Sequence, residues 1–133
     1  MNAGAFNRFV LASPRRLAMP IAVFPGLALT GASVRDVVTN QQAQFAAAAA
    51  LHERYRTPMV LSAMDLSAEA EAFGCTIQMV KDEIPFVLGR LVATREQAEK
   101  LSIPQPGDQR TSVHLETVRS LSRLPGKPLV LGG

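Results

Sequence analysis

Apolar and polar positions change their period several times along the chain, and the changes predict its elements. Residues 5–12 read as a short helix stopped by Pro14. Residues 19–24 are a short apolar run held between Pro20 and Pro25-Gly26, which predicts a first strand with a turn behind it. Gly31-Ala-Ser-Val-Arg-Asp36 then opens a helix, with Ser33 as N-cap and Asp36 three residues on. Val34, Val37, Val38, Phe45, Ala48, Ala49 and Leu51 or His52 mark its buried side to about residue 56, with Thr39-Asn40 as a point of interruption. Thr57-Pro58 ends it, and Met59-Val60-Leu61, running on to Ala63, predicts a buried strand.

The segment Ser62-Ala-Met-Asp-Leu-Ser-Ala-Glu-Ala-Glu-Ala-Phe-Gly74 follows that strand. It turns to helix-forming Ala and Glu and closes on Gly74, a residue suited to the left-handed position past a helix end. Asp65 therefore stands where a strand ends and a helix begins, the edge at which α/β proteins bind ligands. Residues 75–80 alternate as a short strand, Asp82-Glu83 makes a turn, and residues 84–92 are extended. Thr94-Arg-Glu-Gln97 is a capping box opening a helix to Leu101. Residues 104–109 read as loop, 111–124 as helix and 127–131 as a last strand. No internal repeat or low-complexity linker breaks this order.

Strands alternating with helices favour parallel pairing through crossovers, hence an α/β class. About three core strands fall far short of a closed eight-stranded barrel, which takes about 250 residues. The expectation is a single partial domain over residues 1–133, a piece of something larger.

Composition narrows the partners. An apolar content of 47 % in 133 residues suffices for one soluble core. No apolar run approaches the ~18 residues of a membrane span. The 14 basic against 11 acidic residues, with pI near 9.6, are a mild excess without Lys/Arg clusters among aromatics, which argues against nucleic acid. The single cysteine, Cys75, forbids an internal disulfide and suits a reducing cytoplasmic setting. The acid-poor start with Arg8, Arg15 and Arg16 has no clear apolar core or cleavage site of a targeting peptide.

Met19-Pro-Ile-Ala-Val-Phe-Pro25, Leu29-Thr-Gly31, Met64-Asp-Leu-Ser-Ala-Glu-Ala-Glu-Ala-Phe-Gly74 and Asp82-Glu-Ile-Pro85, in that order, resemble the uroporphyrinogen decarboxylase superfamily. Its members are (β/α)8 TIM barrels, and they include the corrinoid-dependent methylcobalamin:coenzyme M methyltransferases. The resemblance runs over residues 6–133 and implies the N-terminal portion of such a barrel, about three parallel strands with crossover helices. Decarboxylases of this superfamily carry a Met-Arg-Gln-Ala-Gly-Arg segment after the first strand, whose arginines receive substrate carboxylates. This chain has Phe24-Pro-Gly-Leu-Ala-Leu-Thr-Gly31 there and no arginine until Arg35. Guanidinium is the natural bidentate partner of a carboxylate, so the resemblance points to the methyltransferase branch.

That branch holds zinc with a His-x-Cys pair and a distant Cys. This chain has one cysteine and no His-x-Cys, so it is expected to contain no metal ligands and to be inactive in methyl transfer by itself. Zinc and a corrinoid partner are implied for a full-length methyltransferase, and no cofactor for a decarboxylase. The implied partners are a tetrapyrrole or corrinoid ligand and a corrinoid protein. A non-catalytic stub that folds as a homo-oligomer or on another protein is the reading of a different class, since an unclosed sheet leaves strand edges unpaired.

The resemblance makes Asp65 the leading catalytic candidate, an acceptor for pyrrole N–H groups, against the plainer role of capping the helix. Glu69 falls one turn on as a second carboxylate, against a solvated helix face, and Glu71 ranks below it. Phe24, Pro25, Thr30, Gly31 and Met64 would line the ligand cavity at the barrel mouth, against an ordinary turn. His52 and His114 read as exposed or half-buried helix residues, and Cys75 as a small buried hydrophobe.

Overall fold

The computed structural model describes residues 3–132; Met1, Asn2 and Gly133, the outermost ends of the expected domain, lie outside it. Seven helices and four strands follow one another among the described residues. They are α1 (Ala3–Leu11), α2 (Leu27–Thr30), α3 (Val34–Thr39), α4 (Gln41–Tyr55), β1 (Met59–Leu61), α5 (Ala68–Ala72), β2 (Thr76–Gln78), β3 (Phe86–Leu88), α6 (Arg95–Glu99), α7 (Thr111–Leu121) and β4 (Leu129–Leu131).

Local chemistry sets the helix ends. Ser33 Oγ accepts from the Asp36 amide at 3.1 Å while the Asp36 carboxylate accepts from the Ser33 amide at 2.9 Å, the reciprocal cap that starts α3. Asn40 leaves helical geometry at φ −130° and its side chain accepts from the Ala43 amide at 2.9 Å. It thereby ends α3 and caps α4, which is the interruption expected at Thr39-Asn40. Thr94 and Gln97 cap α6 in the same reciprocal way.

Strands β1 and β4 pair in parallel, with Met59 opposite Leu129, Val60 opposite Val130 and Leu61 opposite Leu131. The crossover between them carries α5, the β2–β3 hairpin, α6 and α7. Helix α4 packs on α7, α3 and β1, and the core is built from Val23, Val37, Ala47, Ala48, Val60, Ala63 and Leu121. One polar side chain belongs to this interior. Gln44, fully buried, donates from Nε2 to the Val37 carbonyl at 2.9 Å and accepts at Oε1 from the Ala63 amide at 3.4 Å. It satisfies a carbonyl that the end of α3 leaves open and an amide just past β1.

The arrangement is α/β with parallel strands and an unclosed sheet. The parallel sheet has two strands, because residues 19–24 form none. Pro20 brings no amide, the Ala22 amide turns back onto the Pro20 carbonyl at 3.0 Å, and Val23 takes φ −118° and ψ −33°. Val23 nevertheless reaches the core, 3 % exposed. The expected loop over residues 24–31 winds into a 3₁₀ turn (Phe24–Gly26) and α2, and Gly31 at φ 73° ends it. Strands β2 and β3 were expected in the alternating series, but they pair antiparallel with each other, Ile77 opposite Val87, apart from the core sheet. The last helix stops at Leu121, three residues before the expected end.

Gly26 fixes how the 3₁₀ turn meets α4. A Cβ there would lie 2.9 Å from the Ala47 carbonyl carbon, a backbone atom that cannot swing aside. Gly26→Ala is expected to cost about 2 kcal/mol of overpacking, seen as a lower urea midpoint at unchanged slope.

Candidate functional site

The chain leaves β1 through buried Ser62 and Ala63 and turns at Asp65, itself 6 % exposed. Asp65 Oδ1 accepts from the Ser67 amide at 3.0 Å and from Ser67 Oγ at 2.6 Å, an Asx-type turn that leads into α5. Asp65 Oδ2 accepts from Arg110 Nη1. Arg110 is the residue just before α7, reached through Gln109 at φ 50°. The same guanidinium donates from Nη2 to Ser67 Oγ at 2.9 Å and from Nε to the Glu71 carboxylate of α5. Three nitrogens of one side chain thus hold three side chains of the segment after β1.

Burial pushes the Asp65 carboxyl up, but the Ser67 hydroxyl and amide, and then Arg110, outweigh it and hold the group below the ordinary 3.8. Asp65 is ionised at neutral pH and both its oxygens are engaged. Ser67 is the N-cap residue of α5 and its own side chain makes no cap bond; the carboxylate that accepts an amide at this helix entry is that of Asp65.

The remaining sequence candidates fall into separate places. Glu69 is exposed and shares with Asp65 a groove of about 540 Å³ between α5 and α7. Phe24 and Met64 come together in a different cleft, about 470 Å³, with Ile21, Ile84 and Phe86. Pro25 lines a third cavity of about 270 Å³ beside His52 and Tyr55. Thr30 and Gly31 line none of these: Thr30 Oγ1 donates to the Gly26 carbonyl at 3.1 Å and the Gly31 amide to the Leu27 carbonyl at 2.8 Å, closing α2.

Arg110, Glu71 and His114 were missed or ranked low by sequence reasoning. A signal existed for Arg110: a cation at the start of a helix opposes the helix dipole, which asks for a compensating carboxylate. His114 lines the α5–α7 groove, and neither of its buried ring nitrogens makes a hydrogen bond of ordinary geometry. Burial lowers its pKa below 6.5; the Asp65 and Glu69 carboxylates and the Ala63 backbone pull the other way, and Arg110 adds to the lowering. Among the described residues no group of three or more His, Cys, Asp or Glu is placed to hold a metal ion, and none of their helices is long and apolar enough to cross a membrane.

The family model described as uroporphyrinogen decarboxylase (URO-D) matches residues 13–133. Among solved structures, a methyltransferase from Methanosarcina mazei superposes with a TM-score of 0.77 at 21 % sequence identity. The overlap covers 95 % of this chain and 40 % of that one. At this identity the likeness is one of fold. No curated protein matches the chain.

Arg110→Met leaves the Asp65 carboxylate buried without its cation. It is expected to cost about 3 kcal/mol at pH 7 in urea unfolding, with part recovered in the Asp65→Asn/Arg110→Met double variant. The pH dependence has a definite sign. Asp65, depressed on folding, stabilises above 3.8 and loses that contribution as pH falls through its lower folded value. His114 is also depressed, so from pH 6.5 downward the unfolded chain takes up its proton first and stability falls. His114→Leu is expected to flatten the decline below pH 6.5 while leaving the acid limb below 3.8 in place.

Proposed function

Because the chain belongs to the uroporphyrinogen decarboxylase family, we propose that it forms the N-terminal wall of the ligand cavity in a corrinoid-dependent methyltransferase. In that reading a methylcorrinoid, free or carried by a corrinoid protein, supplies a methyl group to a thiol. The observation that carries the proposal is the cleft holding Phe24 and Met64. Every residue lining it is uncharged, and Ile21, Ile84 and Phe86 make its surface apolar. Such a wall suits the face of a macrocycle and excludes water from it. A porphyrinogen bearing carboxylates on every ring would need guanidinium groups, and residues 24–31 contain none.

Asp65 weighs the same way. Its oxygens already accept from Ser67 and Arg110 and the residue is 6 % exposed, so pyrrole N–H groups would reach it only by opening a buried ion pair. In this proposal Asp65 and Arg110 instead hold in place the segment that carries Met64. The described residues do not form a zinc site, so thiol activation is assigned to residues outside them. The chain spans 40 % of the methyltransferase it superposes on, and activity of the whole protein belongs to this proposal.

The test is equilibrium dialysis of the chain against methylcobalamin and, separately, against uroporphyrin, read by visible absorbance. Methylcobalamin is expected to be retained, and Phe24→Ala and Met64→Glu each to weaken it by about tenfold. Preferential retention of uroporphyrin would return the site to the decarboxylase reading. Retention of neither, by a chain with native circular dichroism, would sink both.

A further inference from the structure

Helix α1 lies ahead of residues 13–133, the stretch that matches the family model, and the cavity wall proposed above gives it no task. Its sequence has a pattern of its own. Phe6, Phe9 and Val10 are spaced i, i+3 and i+4, which puts them on one face of the helix, while Arg8 falls on the far side. Phe9 and Val10 are 38 % and 39 % exposed, Leu11 next to them is 84 % exposed, and Phe6 is half-buried. The core is built without any of the four.

Charge around this face has one sign. Arg8, Arg15 and Arg16 are all exposed, and none of them stands in an ion pair among the described residues. No Asp or Glu occurs before Asp36. Ser13 Oγ donates to the Arg15 carbonyl at 2.7 Å, a tight turn around Pro14 that sets Arg15 and Arg16 just past the end of α1. Cations there also complement the negative end of the helix dipole. What covers such a segment has to be apolar and anionic at once.

Size separates a lipid surface from a protein. With nine residues, α1 is about 13 Å long and about 10–12 Å across. One face of so short a helix covers far less than the roughly 800 Å² per partner of a stable protein interface. A bilayer surface needs no matching groove. It takes up aromatic and aliphatic side chains at the boundary of headgroups and acyl chains, and its anionic lipids attract each nearby arginine.

We propose that α1 lies flat on an anionic lipid surface, with Phe6, Phe9 and Val10 in the upper acyl region and Arg15 and Arg16 at the headgroups. Arg8, on the far side of the helix, acts only through the field, which reaches about 10 Å at 0.1 M salt. No described helix is long and apolar enough to cross a membrane, so the attachment is one of lying on the surface. With so few apolar anchors it is reversible and salt-sensitive. This property is independent of the methyltransferase reading and stands or falls separately.

The experiment is co-sedimentation of the full chain with vesicles of phosphatidylcholine alone and of phosphatidylcholine with phosphatidylglycerol. The mixed vesicles are expected to bind at least about tenfold more tightly, and high salt to remove the difference. Arg15→Gln and Arg16→Gln should each weaken binding about fivefold, and Arg8→Gln by less. Phe9→Ser/Val10→Ser should abolish it with circular dichroism unchanged. The chain has no tryptophan, so Phe9→Trp reports on α1 alone, and its emission should shift to the blue on the mixed vesicles. If the serine variant does not fold, that emission decides by itself. Equal binding to both vesicles, an unmoved emission, or full binding by the serine variant would overturn the proposal. So would sedimentation without vesicles, which would mean that a second copy covers the face, or no binding to either.

Discussion

A carboxylate taken out of water has to be met by a cation, and that requirement organises the carboxyl end of this sheet. Asp65 sits at the foot of the crossover and Arg110 at its far end, 45 positions apart in sequence. Their pairing, shared with Ser67 and Glu71, draws the start of α7 onto α5. With α7 so placed, Leu121 enters the core beside Val37 and Ala47, and β4 follows close enough to pair with β1. A buried pair of this kind adds little net stability over an apolar substitute, but its loss on one side is costly, so it acts chiefly by excluding other arrangements.

The same network lies between two hollows that differ in character. The segment from Ser62 to Glu69 contributes to both. On one side it offers Met64 and Leu66 to an uncharged cleft floored by Phe24 and the β3 hairpin strand. On the other it offers Asp65 and Glu69 to a groove whose far wall is α7. Met64 and Asp65, adjacent just past β1, line different hollows, and the turn at Asp65–Ser67 carries Ala68 and Glu69 to the α7 side. A residue named as a ligand-cavity candidate because it adjoins Asp65 in sequence, as Met64 does, therefore ends in a different hollow from Asp65.

How much of this was legible depended on the range of the physics involved. Ser33 with Asp36, and Thr94 with Gln97, act within a single turn, and the helix starts read from them are the ones found, whereas Asn40, read only as an interruption, also starts a helix of its own. The strand at Met59–Leu61 and the junction at Asp65 were also readable, since the switch from branched apolar residues to Ala and Glu is local. The run at residues 19–24 misled because apolar content alone does not weigh the missing amide of Pro20. The antiparallel union of β2 and β3 was hidden because a two-residue period says which face a side chain takes and nothing about the partner strand. Arg110 was hidden for a similar reason: its partners are some 40 residues upstream, and the capping role suggested for Asp65 gave no sign that a cation was required.

The parallel pairing of β1 with β4 also sets a schedule for making the protein. Antiparallel neighbours such as β2 and β3 can join as soon as their turn emerges, but β1 must wait for the last strand described, with the whole crossover in between. At ribosomal speeds of about 5–20 residues per second, Val60 and Leu61 are synthesised several seconds ahead of Val130 and Leu131. Throughout that interval the nascent chain carries an apolar strand with both edges open, the form most prone to pair with a neighbour. One short stretch, Met59–Leu61, is thereby the part of the nascent chain that waits longest for its partner strand.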